Sequence, residues 1–125
     1  MKIREITDAI EAEAALSWQA EYDNAGLIVG NREAETDSAL LCVDITEAVL
    51  DEAIELGAGL VVSHHPIIFH AVKRLTGQTY IQRVVEKALR HGVALYAAHT
   101  NLDSAPHGIS HRLGEMFGLK EISLL

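Results

Sequence analysis

Continuous apolar runs alternate along the chain with segments in which apolar residues recur at helical spacing. Short continuous runs predict buried strands over residues 39–45, 60–63 and 93–98. Helical spacing predicts helices over 47–56, 78–91 and 108–117, with Thr46 capping the first and glycines ending the first two. Strands that are apolar throughout and alternate with helices predict an α/β fold, with a mainly parallel or mixed sheet and helices on both faces.

The first thirty residues show a weaker pattern. Apolar positions between residues 3 and 18 are compatible with a helix that begins near Thr7 and Asp8. A turn-rich stretch over 21–26 follows, and the short apolar run 27–29 predicts a strand.

Length and composition predict one domain over residues 1–125. The chain has 125 residues, 49% of them apolar, with no internal repeat or low-complexity segment. A domain of this size can bury a core without disulfides or a structural metal, so a metal site here would be functional. The lone Cys42 predicts a buried apolar residue and a reducing compartment. With no signal-like or membrane-spanning run, we expect a cytoplasmic protein without a membrane partner.

The charge balance narrows the classes of partner. Ten Lys and Arg against 18 Asp and Glu give a formal net charge of −8, and aromatic residues are only 5% of the chain. Nucleic-acid binding is therefore not expected, since it needs a basic face and often stacking aromatics. A phosphorylated substrate stays compatible with the acidic balance if a metal supplies positive charge. These observations leave three classes of function: an enzyme, a metal-binding protein or an interaction module.

The first candidate cluster directly follows the strand over 60–63. Ser63 is followed by His64, His65 and Pro66, and the proline favours the end of the strand. Ligands of open α/β sheets bind beyond the carboxyl ends of strands, and imidazole is a common ligand of transition metals. The alternative is a pair of loop histidines whose nitrogens bond to water or backbone.

The second candidate cluster, from His99 to Asp103, follows the next strand. Asp103 could bridge two cations, and His99 could bind an ion or orient a ligand. The alternative is turn chemistry, which favours Asn and Asp where a chain leaves a strand. Because the two strands are consecutive, His64, His65 and Asp103 are predicted to face one crevice. Two imidazoles and a carboxylate suit zinc, manganese or iron and leave positions open for water or substrate.

The other histidines are weaker candidates. His91 lies in the last turn of a predicted helix, which favours a structural role. His107 and His111 are predicted to be surface residues, and the apolar run 67–69 is expected to pack beneath the site and keep His70 from it. The chain has no phosphate-binding glycine loop, no G-x-S-x-G turn and no C-x-x-C pair, which disfavours serine or cysteine catalysis.

Four segments, 21–30, 42–46, 62–69 and 97–103, closely resemble the Nif-three-like family of dinuclear metal proteins, often labelled GTP cyclohydrolase 1 type 2 homologs. They occur in the family's order and cover nearly the whole chain. The resemblance implies that His64, His65 and Asp103 bind up to two divalent ions, with Asp103 bridging them. It also implies a ring-shaped homohexamer whose sites face an internal cavity.

One feature of the family is missing from the sequence. The family carries a second ligand cluster, a His followed four residues later by a Glu, near the end of a longer chain, and residues 121–125 contain none. We therefore expect the chain to be the N-terminal part of a longer family protein with an incomplete metal site. The apolar residues Ile122, Leu124 and Leu125 predict the start of a further strand.

Two functions are expected from these features. The first is a divalent-metal-dependent hydrolase, in which a metal-activated water attacks a nucleotide-like or phosphorylated small molecule and His99 is an acid–base candidate. The second is a non-catalytic regulatory or scaffold protein in which the metal is structural or sensing. The family label alone does not establish a substrate.

Overall fold

A computed structural model describes residues 1–123, which form a four-stranded sheet and its covering helices. The strands are β1 (Gly26–Val29), β2 (Ala39–Cys42), β3 (Leu60–Ser63) and β4 (Ala94–Ala97). The helices are α1 (Ile3–Glu13), α2 (Glu47–Glu55), α3 (Tyr80–His91), α4 (Thr100–Ser104) and α5 (Ile109–Met116), with a short 3-10 turn at Leu16–Trp18. In this part of the chain, no helix combines the length and the apolar character needed to cross a bilayer.

The strand order in the sheet is β1-β4-β3-β2. β2, β3 and β4 run parallel, whereas β1 runs antiparallel to β4, with Gly26 opposite Ala97. The loop that precedes β1 therefore lies at the same edge as the carboxyl ends of the three parallel strands. The predicted α/β fold with a mixed sheet is confirmed.

Helices lie on both faces of the sheet. On one face, Val61 of β3 and Leu95 of β4 pack in a buried core with residues of α2 and α3, including Leu50 and Val84. On the opposite face, Leu60 and Tyr96 pack against α1 through the fully buried Ile3. Alternate strand residues thus face different helices, which is why the strands read as continuous apolar runs.

Local hydrogen bonds explain where two predicted helices begin. The hydroxyl oxygens of Thr46 and Thr79 accept from the backbone N–H groups of Val49 and Gln82, at 3.2 and 3.3 Å. Such caps satisfy donors that the first turn of a helix leaves free. The predicted stop of α3 is confirmed, because Gly92 ends it in the left-handed conformation with φ 69°.

The predicted start of the first helix is wrong. α1 begins at Ile3, and Thr7 is buried within it. The N–H groups of Ile3 and Arg4 donate to the carbonyls of Ala34 and Arg32, each at 2.9 Å. A distant segment thus satisfies the first turn, so no Ser, Thr or Asp cap marks it in the sequence.

The prediction of a buried strand over 39–45 is also wrong in part. β2 ends at Cys42 and lies at the edge of the sheet, where the side chains of Leu41 and Val43 are exposed. Its other face packs on the α2 and α3 side through Leu40 and Cys42.

The end of the chain forms no strand within the described residues. Ile122 lies outside regular structure and is half-buried, whereas Leu124 and Leu125 of the predicted further strand lie outside the described residues.

Candidate metal centre

The backbone after β3 is held by three hydrogen bonds. The N–H groups of His64 and His65 donate to the carbonyls of Cys42 and Val43, at 3.2 and 2.9 Å, and the buried Ser63 hydroxyl donates to the His65 carbonyl at 2.8 Å. The two backbone contacts continue the pairing of β3 with β2 beyond the end of the strand, and the Ser63 hydroxyl fixes the turn itself. They allow two consecutive histidines to turn toward one space, which a regular strand would prevent.

Three imidazole rings meet at this edge of the sheet. Ring centroids are 4.9 Å apart for His64 and His65, 5.1 Å for His64 and His99, and 5.6 Å for His65 and His99. One donor nitrogen from each ring lies within 4.8 Å of the other two. The structure thus brings His99 to the predicted pair, and these three residues could hold a metal ion.

The Nδ1 atoms of His64 and His65 are already engaged. Nδ1 of His64 lies 2.9 Å from the Ala98 carbonyl oxygen, and Nδ1 of His65 lies 2.8 Å from Oδ1 of Asp44. Carbonyl and carboxylate oxygens only accept hydrogen bonds, so both rings carry a proton on Nδ1. The nitrogen left free on each ring is Nε2, whose lone pair a metal requires.

His99 is held in the same way by a carboxylate from the loop before β1. Its Nδ1 atom lies 2.8 Å from Oδ1 of Asp23, whose side chain has no exposed surface. Oδ2 of Asp23 accepts from the backbone N–H of Thr100 at 3.0 Å and from the Thr100 hydroxyl. Burial opposes ionisation, but the hydrogen bonds from Thr100, His99 and the Asn24 backbone hold the pKa of Asp23 below its ordinary value.

The turn from β4 into α4 is fixed by a buried amide. The side-chain oxygen of Asn101 accepts from the His99 N–H at 2.9 Å, and its amide donates to the Ala14 carbonyl at 2.8 Å. The prediction of turn chemistry in this segment is therefore correct for Asn101. The segment also forms α4, a helix of five residues that sequence periodicity missed.

α4 directs Asp103 toward the same space. The Asp103 N–H donates to the His99 carbonyl at 3.1 Å, and its Oδ1 lies 3.9 Å from Nε2 of His64. The side chain is about one third exposed. The structure thus places Asp103 beside the three imidazoles, adjacent to His64.

The donor set fits a divalent ion of the zinc, manganese or iron type. Neutral imidazoles with free Nε2 atoms and an adjacent carboxylate are ligands that these ions accept. At bond lengths of about 2.0–2.1 Å, tetrahedral ligands of one ion lie about 3.3 Å apart. The spacing of the cluster therefore suits one ion after a small contraction, or two closely spaced ions.

Two residues of this site were missed in the sequence. Asp44 follows β2 at the carboxyl edge, but the strand predicted over 39–45 contains it, so the rule that selects His64 and His65 does not select Asp44 from the sequence. Asp23 precedes its strand, and only the antiparallel pairing of β1 with β4 brings it to this edge. No local pattern in the sequence carries that information.

The segment after His65 forms part of the rim of the site. Ile67 is buried as expected, but Phe69 is 40% exposed. Its ring lies edge-on to His99 at 6.3 Å and to Tyr22 at 6.3 Å, and His70 packs against it at 5.2 Å. The expectation that this whole run packs beneath the site is therefore wrong for Phe69.

The remaining candidate residues lie outside the cluster. His91 is exposed in the last turn of α3, and the rings of His107 and His111 pair at 5.1 Å, with His111 also 3.4 Å from Glu115. Cys42 is half-buried, and burial together with the charge of Asp44 raises the pKa of its thiol. A raised pKa disfavours the thiolate, which agrees with the prediction that Cys42 is not a nucleophile.

Comparison with known proteins supports the resemblance. The model of the Duf34/NIF3 (NGG1p interacting factor 3) family matches residues 1–125. The chain belongs to the DUF34/NIF3 family. A curated relative from Clostridium acetobutylicum, named GTP cyclohydrolase 1 type 2 homolog, is 35% identical over 125 residues, which are 100% of this chain and 47% of that relative. A second relative with the same name, from Halalkalibacterium halodurans, is 41% identical over 109 residues, 87% of this chain and 29% of its own length.

Solved structures of similar proteins share the fold. A Bacillus cereus protein related to NIF3 is 35% identical with a TM-score of 0.88, covering 97% of this chain and 34% of that one. Reduced HcgD from Methanocaldococcus jannaschii is 31% identical with a TM-score of 0.89, covering 97% of this chain and 48% of that one. The chain thus spans less than half the length of these four proteins.

Proposed function

We propose that this DUF34/NIF3 chain binds divalent metal and serves as the histidine-rich part of a metal-dependent hydrolase. The observation that carries the proposal is the convergence of His64, His65 and His99, with one donor nitrogen each within 4.8 Å. Each ring is already bonded through Nδ1, so the free nitrogens are available for a metal and need no rearrangement of protons.

His64, His65 and Asp103 would hold the ion or ions, with Asp103 as the carboxylate able to bridge two of them. A divalent ion supplies Lewis acidity, which activates water and polarises the electrophilic atom of a substrate. His99 faces the same space and either binds the ion or transfers a proton. Metal content separates these roles, because His99→Ala loses metal in the first case and loses only turnover in the second.

A nucleotide-like or phosphorylated small molecule is the substrate class we propose. The name of the curated relatives, GTP cyclohydrolase 1 type 2 homolog, supports a nucleotide. The chain itself carries a formal net charge of −8, so positive charge at the site would have to come largely from bound metal. Catalysis of such a substrate is therefore expected to require metal.

The test is turnover of a panel of nucleotides and phosphoesters by protein loaded with zinc, manganese or iron. Asp103→Ala should abolish turnover while circular dichroism shows an intact fold. Asp37→Ala, which changes an exposed carboxylate in the connection from β1 to β2, is the matched control and should leave turnover unchanged. Turnover that survives Asp103→Ala would show that the catalytic proposal is wrong.

A regulatory or scaffold role is the competing outcome of the same test. It would be supported if metal binds, no member of the panel reacts, and the metal-loaded chain forms a defined complex. We also propose the homo-oligomer implied by the family resemblance, which size-exclusion chromatography with light scattering measures directly.

A further inference from the structure

We infer that Asp23 is the positioning residue of His99, holding its proton on Nδ1 so that Nε2 faces the metal cluster. The inference rests on the proposed metal site and assigns a role to the segment before β1. Carboxylates that hydrogen-bond the outer nitrogen of a metal-binding imidazole fix the ring and raise its basicity as a ligand.

The hydrogen bonds around Asp23 leave its carboxylate little freedom. Oδ1 contacts Nδ1 of His99 at 2.8 Å and accepts from the Asn24 N–H at 2.7 Å, and Oδ2 accepts both donors of Thr100. With no exposed side-chain surface, the carboxylate has no water competing for the imidazole proton. His99 therefore has one defined partner on its Nδ1 side.

The loop that carries Asp23 is anchored on both sides. The Ala20 N–H donates to the Thr100 hydroxyl oxygen at 2.9 Å, and the Ala25 N–H donates to Oε1 of Gln19 at 2.9 Å. The Asn24 amide donates to the Ile68 carbonyl at 2.7 Å, which ties this loop to the segment after His65. Asp23 is thus held relative to His99 by contacts that do not involve the histidine.

A purely structural role does not account for a carboxylate at this position. Burying a charge costs more than burying a neutral hydrogen-bonding group, and a neutral side chain could also accept from Thr100. Among the described residues, the basic side chain that pairs with Asp23 is that of His99. The negative charge of Asp23 therefore interacts mainly with the imidazole of His99.

Asp44 provides an internal comparison. It contacts His65 in the same way at 2.8 Å, but its side chain is 64% exposed, so water can replace it. We therefore expect His99 to depend more on Asp23 than His65 depends on Asp44. Loss of the Asp23 carboxylate should weaken zinc binding more than loss of the Asp44 carboxylate.

The first measurement uses the wild-type chain without metal. Nitrogen-15 NMR of the histidine side chains distinguishes Nδ1–H from Nε2–H imidazole by chemical shift. We expect the signals of His99, assigned with His99→Ala, to show the Nδ1–H form. An Nε2–H form for His99 would overturn the inference. Because this measurement needs neither metal nor a variant at Asp23, it stands even if Asp23→Asn fails to fold.

The second measurement is zinc affinity by competition with a chromophoric chelator. Asp23→Asn should weaken zinc binding about 10- to 100-fold and move His99 toward a mixture of tautomers, with His64 unchanged. The matched control Asp37→Asn should leave the affinity as in wild type. In a His99→Ala background, Asp23→Asn should have no further effect, because the two residues act as a unit.

The outcomes separate this inference from the proposed function. An unchanged Nδ1–H tautomer of His99 in Asp23→Asn, or an equal loss of zinc affinity in the His99→Ala background, would show that Asp23 does not act through His99. Wild-type zinc affinity in Asp23→Asn would show the same if His99→Ala itself loses zinc. Absence of zinc binding by the wild-type chain would instead contradict the proposed metal site, while the tautomer of His99 would still report on Asp23.

Discussion

Nε2 of His64 lies 3.9 Å from Oδ1 of Asp103, so the first residue after β3 and a residue of α4 face one space. The gap is too long for a hydrogen bond and slightly wider than the roughly 3.3 Å between ligands of a tetrahedral zinc ion. Both groups therefore have room to bind the same ion.

Replacing His64 and His65 by alanine together should remove bound metal. The two residues supply two of the three imidazole nitrogens of the cluster, and the remaining His99 and Asp103 are too few to retain an ion through purification. Elemental analysis of the double variant should show loss of zinc, manganese or iron relative to wild type.

His91→Ala and His111→Ala are the controls for metal content. His91 is exposed on α3, whereas His111 tests whether its pairing with His107 binds metal adventitiously. Equal metal content in wild type and the double variant would show that the cluster is not the metal site.

Asp44→Asn should weaken zinc binding less than Asp23→Asn does. Asp44 orients His65, but its exposed carboxylate competes with water, so an amide or a solvent molecule can take its place. We expect a loss of less than about tenfold, the lower bound usual for buried partners of metal ligands. A larger loss than for Asp23→Asn, measured with the same chelator, would contradict the order of importance derived from burial.

Tyr96→Phe should leave the free energy of unfolding within about 1 kcal/mol of wild type or raise it. Among the described residues, the fully buried Tyr96 hydroxyl has no hydrogen-bond partner of good geometry, although the Glu11 carboxylate lies close enough to interact with it. Burial, aided by the charge of Glu11, also raises the pKa of this phenol, so it stays neutral over the usual pH range.

Asn101→Ala is the contrasting variant for Tyr96→Phe. It removes a buried side chain whose two hydrogen bonds hold His99 and Ala14, and should cost about 2 kcal/mol or more. Urea denaturation measures both variants. A loss for Tyr96→Phe as large as that for Asn101→Ala would indicate that the phenol hydroxyl is bonded after all.

Gly108→Ala should destabilise the turn between α4 and α5 by about 2 kcal/mol or more. A Cβ atom at Gly108 would overlap the Leu102 carbonyl oxygen, so the turn beside Asp103 would have to open. Gly57→Ala is the control, since it adds only the strain of a φ of +70° with no atom within 4 Å, which costs about 1–2 kcal/mol. Equal losses in urea denaturation would contradict the close contact at Gly108.

Much of the α/β framework follows from the sequence because its signals are local. Continuous apolar runs predict β3 and β4, and helical spacing predicts α2 and α3, with Thr46 as the cap of α2. The five residues of α4 are too few for helical spacing to appear, so the sequence does not predict that helix. The exposure of β2 depends on its place at the sheet edge, which strand composition does not reveal.

The sequence predicts those residues of the candidate site that lie just beyond the carboxyl ends of parallel strands, where open α/β sheets bind their ligands. His64, His65, His99 and Asp103 all follow such strands, and the structure gathers them. The sequence does not predict Asp23, because only the antiparallel pairing of β1 with β4, which places residue 26 opposite residue 97, brings Asp23 close to His99. Long-range pairing of this kind has no signature in the local sequence.

The site draws on residues beside one end of each of the four strands, from Asp23 before β1 to His99 after β4. These residues are spread over positions 23–103 of the sequence, so an unfolded chain does not bring the same donors together. An ion that binds here would therefore be linked to the folding of the entire sheet. At a free concentration one hundred times its dissociation constant, it would raise the free energy of unfolding by about 2.7 kcal/mol. Metal supply would then set the fraction of the protein that is folded as well as what it can do.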